Sequence, residues 1–191
     1  KECGYIEGAV RTDCKQGSIR VTDNPYDVAI DGQGYIPVTS PDGEIQYTRD
    51  GSFKVGADGY LYTVDDWIVG DGIKMPPNFY KFQIKPNGDI VSYDAAGSKG
   101  KKVATIPLVT FDAPEELNQG VNNKMVATQE SGQPKLVLNH ERFKQNCAEN
   151  SNTNIYAEVN DMLRLNASMI ASMRLLKVAD DMYNKGINIR E

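Results

Sequence analysis

The sequence predicts a mainly β fold: an antiparallel β-sandwich or barrel-like domain over residues 1–150, then one long C-terminal α-helix within residues 151–191. Three observations predict it. Turn formers recur at short intervals as far as about residue 145. The runs between them are short and rich in β-branched and aromatic residues, with no helical pattern interleaved. From residue 153 Gly and Pro vanish until Gly186, and the apolar residues take up a helical period.

The turns come first in the argument because they exclude long helices from the first 145 or so residues. Gly32 to Gly34, Pro41-Asp42-Gly43, Asp50-Gly51, Asp58-Gly59, Gly70-Asp71-Gly72, Pro86-Asn87-Gly88 and Gly97 to Gly100 tolerate positive φ or preset a turn. Between them the strand-like runs are Tyr26 to Ile30, Tyr35 to Thr39, Ile45 to Arg49, Phe53 to Val55, Tyr60 to Val64, Phe79 to Ile84, Ile90 to Tyr93 and Val103 to Phe111. Asp112 to Leu117 starts a turn or short helix, and Met125 to Thr128, Lys135 to Leu138 and Phe143 to Cys147 add weaker strands. Asp-Gly and Asn-Gly pairs favour tight hairpins, so the strands pair antiparallel.

The helix begins near Asn154, a plausible N-cap, and Gly186 is the expected stop. Ile155, Met162, Met169, Leu176 and Tyr183 recur every seventh residue, and Tyr156, Val159, Leu163, Leu165, Ile170, Met173 and Val178 widen the stripe. Some 32 residues at roughly 1.5 Å each give roughly 48 Å, more than one neighbouring sheet can cover. Burial of a large apolar side chain stabilises by roughly 1.5–3 kcal/mol, so leaving half of a dozen in water forgoes on the order of 10 kcal/mol. That rivals a domain's whole stability. The expectation is that Ile155, Val159, Met162, Leu163, Met169, Met173, Leu176 and Tyr183 form an assembly interface with other helices. An amphipathic helix folding back on its own sheet is the alternative.

Composition narrows the function. With 21 Lys plus Arg against 26 Asp plus Glu the chain carries a charge of −5, which argues against a nucleic-acid-binding surface. Residues 153–191 are balanced in charge, so the acidic excess lies in the β part. No window approaches the ~18 consecutive apolar residues of a membrane span. The first residues, Lys-Glu-Cys-Gly-Tyr, lack the basic-then-apolar order of a signal peptide, so export without a cleaved leader is the expectation.

Candidate chemistry is sparse. Gly32-Gln33-Gly34 is half of a dinucleotide fingerprint, with Pro37 where the third Gly belongs, and reads as a turn. Neither a phosphate-binding loop, a nucleophile elbow nor a zinc-protease motif is present. Three cysteines, Cys3, Cys14 and Cys147, with one histidine suggest neither a disulfide framework nor a zinc site. Free thiols are the ordinary state of such cysteines, and a Cys3–Cys14 bridge is the alternative. His140, in a polar stretch, reads as a surface residue, and a hydrolase centred on it is the weakest reading. Asp65-Asp66, Glu115-Glu116 and Asp180-Asp181 read as solvated or turn positions. No catalytic residue, cofactor, metal or small-molecule substrate is therefore expected. A binding module that stacks sugars on Tyr60, Tyr62 and Trp67 is the rival from another class.

Longer motifs favour a specific family. Asn24 to Tyr35, reading N-P-Y-D-V-A-I-D-G-Q-G-Y, resembles the N-x-L-D-V-A-I-x-G-x-G-F signature of bacterial flagellar rod and hook proteins. Tyr47 to Phe53 resembles that family's Y-T-R-[DN]-G-[SA]-F, and Ala57 to Leu61 its A-D-G-x-L turn. Pro107 to Phe111, Pro114 and Asn123 to Thr128 are similar to a later stretch, and Phe143 to Asn154 to the approach to the family's C-terminal helix. Ala179-Asp180-Asp181-Met182 resembles its A-D-E-M. The forms lean toward the distal rod member, ahead of proximal rod and hook proteins.

The resemblance implies a non-enzymatic subunit of the basal-body rod, the axial shaft that spans the periplasm. Its β domain would stand outward and its terminal helices would pack with other copies and with neighbouring rod or hook proteins. Subunits of this family pass through the flagellar export apparatus, and Asp31, Gly32, Gly34, Arg49, Asp50 and Gly51 would be shape-setting turn residues. The family's N-terminal helix, with its N-N-L-A-N motif, is not found in these residues, so a chain lacking that partner helix is expected.

Overall fold

A computed structural model describes residues 14–77, 79–96, 99–138, 140–153 and 155–188. The strands are Ile19–Val21 (β1), Val28–Ile30 (β2), Ile36–Thr39 (β3), Ile45–Thr48 (β4), Phe53–Val55 (β5), Leu61–Thr63 (β6) and Ile68–Val69 (β7). Lys81–Ile84 (β8), Asp89–Tyr93 (β9), Lys101–Thr105 (β10) and Val109–Thr110 (β11) follow. Beyond a 3-10 turn at Pro114–Glu116 come Asn118–Gln119 (β12), Met125–Val126 (β13), Lys135–Leu136 (β14), Phe143–Gln145 (β15) and Cys147–Glu149 (β16). The helix is Ile155–Asn188 (α1). The chain divides into two compact units, Lys1–Ser151 and Asn152–Glu191.

The named strand pairs are all antiparallel, as the hairpin turns predict. The largest sheet runs β12-β13-β4-β3-β7-β6-β5, and β10-β9-β8 forms a second sheet. Two-stranded ladders join β1 to β16, β15 to β2 and β11 to β14. Phe82, Ile84 and Ile90 of the small sheet share one buried cluster with Ile36, Val38, Phe53, Leu61 and Val69 of the large one. Val28, Ile30 and Phe143 complete that cluster from β2 and β15. The core therefore lies between sheets, and alternation along β8 puts Phe82 and Ile84 inside with Lys81 and Gln83 outside.

A second cluster gathers Tyr35, Tyr47, Val109, Phe111 and Leu117. The large sheet is strongly curled. Lys124, just before β13, lies 2.6 Å from Asp65 in the turn between β6 and β7. In a flat sheet those points are three to four strand spacings apart, roughly 14–19 Å. A lysine side chain reaches only about 6 Å, so bending of the sheet and the reach of the Asp65 turn together bring them into contact. The curl does not close into a barrel, since β12 and β5 remain its edges among the described residues.

Several expectations need correction. The run Val103 to Phe111 is two strands, because Pro107 has no amide donor to continue a ladder and Ile106 turns its N–H to Gly88. The run Phe143 to Cys147 breaks at Asn146, which takes φ +59° between β15 and β16. Strands β1, β7 and β12 carry too few alternating apolar residues to be legible. The helix passes through Gly186 to Asn188, since an interior glycine costs about 1 kcal/mol without forbidding helix. Asn154 and Cys3 lie outside the described residues. Cys147 is a free thiol, and Cys14 Sγ donates to Pro114 O at 3.4 Å.

Candidate functional site

Two glycine-bearing turns meet beside the β1–β16 ladder. Gly34 takes φ +145°, and a Cβ there would lie 2.7 Å from Leu108 Cδ1. At Gly51 an added Cβ would fall 1.8 Å from the carbonyl oxygen of Val28, so backbone passes where any side chain would stand. These glycines let β2 and the turn after β4 approach, and Val28 N–H donates to the Gly51 carbonyl at 3.0 Å. Asp50 closes its own turn by accepting the Ser52 N–H at 3.0 Å. Asp31 lies 2.6 Å from Lys144 Nζ, whose hydrogen bond and charge hold the carboxyl below the ordinary aspartate value.

Arg49 joins the two turns. Its Nη1 donates to the carbonyls of Gly32 at 3.1 Å and Gly34 at 3.0 Å. Its Nε and Nη2 donate to Glu149 Oε2 at 3.1 and 2.8 Å. Glu149 Oε1 accepts the Gly17 N–H at 2.9 Å. Gln16 bridges the same turn, donating to Ile30 O at 3.1 Å and accepting from Gly32 N–H at 2.9 Å. The guanidinium stands 6.0 Å from the ring centroid of Tyr35. Burial, then the Cys14 thiol, pushes the Tyr35 hydroxyl well above its ordinary pKa.

Arg49's fork is thus spent on structural acceptors, and no nucleophile–base pair forms around it. All six turn residues, Asp31, Gly32, Gly34, Arg49, Asp50 and Gly51, hold hydrogen bonds or ion pairs here, and Gly51 also supplies the close approach. Sequence reasoning singled out Arg49 but missed Glu149 and Gln16. A signal existed for Glu149, which falls in the 143–154 stretch that resembles the family's approach to its terminal helix.

The helix presents the second set of residues. Tyr156, Val159, Met162, Leu163, Leu165, Met169, Ile170, Met173, Leu175, Leu176, Val178, Met182 and Tyr183 are all exposed, from 48% at Val159 to 83% at Tyr156. Ile155 opens the helix. Met162, Met169, Leu176 and Tyr183 lie on one line that drifts about 20° per heptad in a straight helix, while Val159, Leu163 and Met173 flank it. Polar contacts along α1 are weak and local, such as Asp161 with Arg164 at 3.6 Å. Among the described residues no helix is long and apolar enough to cross a membrane.

The remaining candidates resolve structurally. His140 is 8% exposed, against the expected surface position; its ring meets Phe143 edge-on at 5.2 Å and its Nδ1 is buried without a hydrogen-bond partner. Burial, helped by the Arg142 charge, lowers its pKa below that of an ordinary histidine. The three proposed stacking rings are engaged: Lys124 Nζ lies 4.7 Å from the Trp67 centroid, Lys74 Nζ lies 5.4 Å from that of Tyr60, and Tyr62 donates its hydroxyl to Asp58 at 2.7 Å. Asp65 and Asp66 stand in the turn between β6 and β7, as expected, and pair there with Lys124 and Lys54. Among the described residues no three His, Cys, Asp or Glu side chains are grouped to hold a metal.

Residues 29–92, which span both motif turns, match the family model described as flagellar hook protein FlgE/F/G D1 domain. The flagellar basal-body rod protein FlgG of Caulobacter vibrioides is 28% identical over 191 residues, covering 98% of this chain and 73% of the relative. FlgG of Buchnera aphidicola subsp. Schizaphis graminum is 32% identical over 175 residues, covering 89% of this chain and 67% of the relative. FlgG of Bacillus subtilis is 26% identical over 196 residues, covering 98% and 74%. The chain belongs to the flagellar rod and hook protein family and within it is most like the distal rod protein FlgG.

Proposed function

We propose that the chain is a structural subunit of the flagellar basal-body rod, built into the shaft through the apolar surface of α1. The observation that carries this reading is the exposure of that surface along the helix, four methionines included. Apolar area on this scale is stabilised only by cover, and identical helices from neighbouring copies supply it with a matching seven-residue spacing. The turn motifs fit a shape-bearing role, since their polar groups are spent within the fold.

The partners are then other copies of the chain and adjoining rod or hook proteins, and the place is the flagellar basal body. Delivery through the flagellar export apparatus without a cleaved leader belongs to the same reading, as does the absence of enzymatic activity. The β1–β16 ladder adds support, because Asn150 N–H donates to Ser18 O at 2.9 Å and so draws the two ends of the β unit together.

Sedimentation across a concentration series tests the proposal. The chain is expected to associate as concentration rises, and Met169→Asp with Leu176→Asp to abolish that association, since each change places a carboxylate where an apolar contact was. Association that survives both substitutions, with α1 still helical by circular dichroism, would refute the helix interface.

A further inference from the structure

We infer that Arg49 and Glu149 form a latch that pins the β1–β16 ribbon, the first and last strands of the β unit, to the rest of that unit. Besides the packing of half-buried β16 beside β2, the ribbon has little to hold it. It contains three residue pairs, Ile19↔Glu149, Arg20↔Ala148 and Val21↔Cys147. None of these residues belongs to either buried cluster, and Val21 is 70% exposed. A two-stranded ribbon is marginal in water without an apolar face to bury.

Two polar attachments stand out. At one end the Asn146 turn joins the ribbon to β15, with Cys147 N–H directed at Asp27 O at 3.4 Å. At the other end stands the Glu149 carboxylate. Its side chain is 12% exposed and that of Arg49 is 21% exposed, so the pair works largely out of water. Glu149 ties Gly17 to the guanidinium, the guanidinium ties both to the carbonyls of Gly32 and Gly34, and Gln16 doubles the link. Segments near residues 16, 33, 49 and 149 are thereby held by one ionic node. Opening it frees the far end of the ribbon while leaving the cores between the sheets intact.

The latch concerns the β unit of the free chain and goes beyond the assembly reading, so either can fail alone.

Hydrogen exchange followed by mass spectrometry on the whole chain tests it. In the ladder Thr22 N–H donates to Asn146 O and Asn150 N–H to Ser18 O, and alternation makes Arg20 and Ala148 the bonded pair between them. Arg49→Met is expected to speed exchange at Arg20, Thr22, Ala148 and Asn150, and at Gly17 and Gly32, by about ten- to a hundredfold. Amides of β3, β4, β8 and β9 are expected to keep their wild-type rates. Glu149→Gln keeps the shape and two acceptor lone pairs, so the same amides should speed up by a smaller factor. Unchanged ribbon exchange in Arg49→Met, or an equal rise throughout the β unit, overturns the latch. Should Arg49→Met not fold, Glu149→Gln decides alone: a rise confined to the ribbon supports the latch, and no rise or a uniform one overturns it.

Discussion

Replacing Lys124 separates two roles that one buried lysine plays. Its side chain is 2% exposed, its Nζ lies 2.6 Å from Asp65, and the same ammonium stands 4.7 Å from the Trp67 ring centroid. Lys124→Ala removes three packed methylenes, about 2.4 kcal/mol at about 0.8 kcal/mol each. Loss of the cation–π contact adds about 1–2 kcal/mol. The ion pair adds about 1 kcal/mol at most, because the Asp65 side chain is 34% exposed and water screens it. Release of the ordered lysine returns about 1.5–2 kcal/mol of side-chain entropy. The net expectation is a loss of about 2–3 kcal/mol.

Lys124→Met keeps the stem and removes the charge, so it should lose only the cation–π and ion-pair contributions, about 1–3 kcal/mol. Urea unfolding followed by fluorescence of the single tryptophan, Trp67, reports on the β unit alone. At an m-value of roughly 1–3 kcal/mol/M the alanine midpoint should fall by about 1 M or more. Lys124 also holds the Asp65 carboxyl below its ordinary pKa. A depressed folded-state pKa gives stability that is present above the unfolded value, about 4, and is lost as pH falls through the folded one. The gap between wild type and Lys124→Met should therefore narrow below about pH 4. Equal midpoints for wild type, Ala and Met would refute the buried tie and, with it, the curl of the large sheet.

Gly51→Ala should be among the most damaging single changes, because the new Cβ would meet Val28 O at 1.8 Å; a loss above about 3 kcal/mol is expected in the same unfolding assay. His140 gives the opposite pH sign from a stabilising histidine pair. Its folded-state pKa is lowered, so its neutral form is favoured on folding. Stability should be full above the unfolded value near 6.5, fall as pH drops below it, and level off beneath the folded value. His140→Phe should flatten that decline between about pH 7 and 5, as read from thermal midpoints.

Much of the fold is written in local chemistry, and what is not written there is long-range. The hairpin strands from β2 to β6 and β8 to β9 announce themselves because each sets apolar residues between turn formers, and α1 because its stripe runs without Gly or Pro for thirty residues or so. Strand β1, Ile-Arg-Val, shows no such mark, since its partner lies some 130 residues away and neither strand enters a core. Lysine burial is likewise invisible in a sequence: Lys124 stands in a polar turn, and only the curled sheet brings Asp65 and Trp67 to it. His140 misleads for the same reason, because its polar sequence neighbours hide the fact that Phe143 and the core lie under it. At the motif turns the glycines and Arg49 were legible as shape-setting residues, whereas the acceptor that matters most to Arg49 comes from the other end of the β unit.

The role of α1 is tested most directly by methionine oxidation in free chain and in assembled rods, read by peptide mass. Met162, Met169, Met173 and Met182 are exposed on the helix, while Met75 is 3% exposed within the β core and serves as the internal standard. Peroxide should oxidise the four helical methionines rapidly in the free chain and slowly after assembly, with Met75 slow in both. Helical methionines that oxidise equally fast in the assembled rod would contradict a shaft held together through this helix.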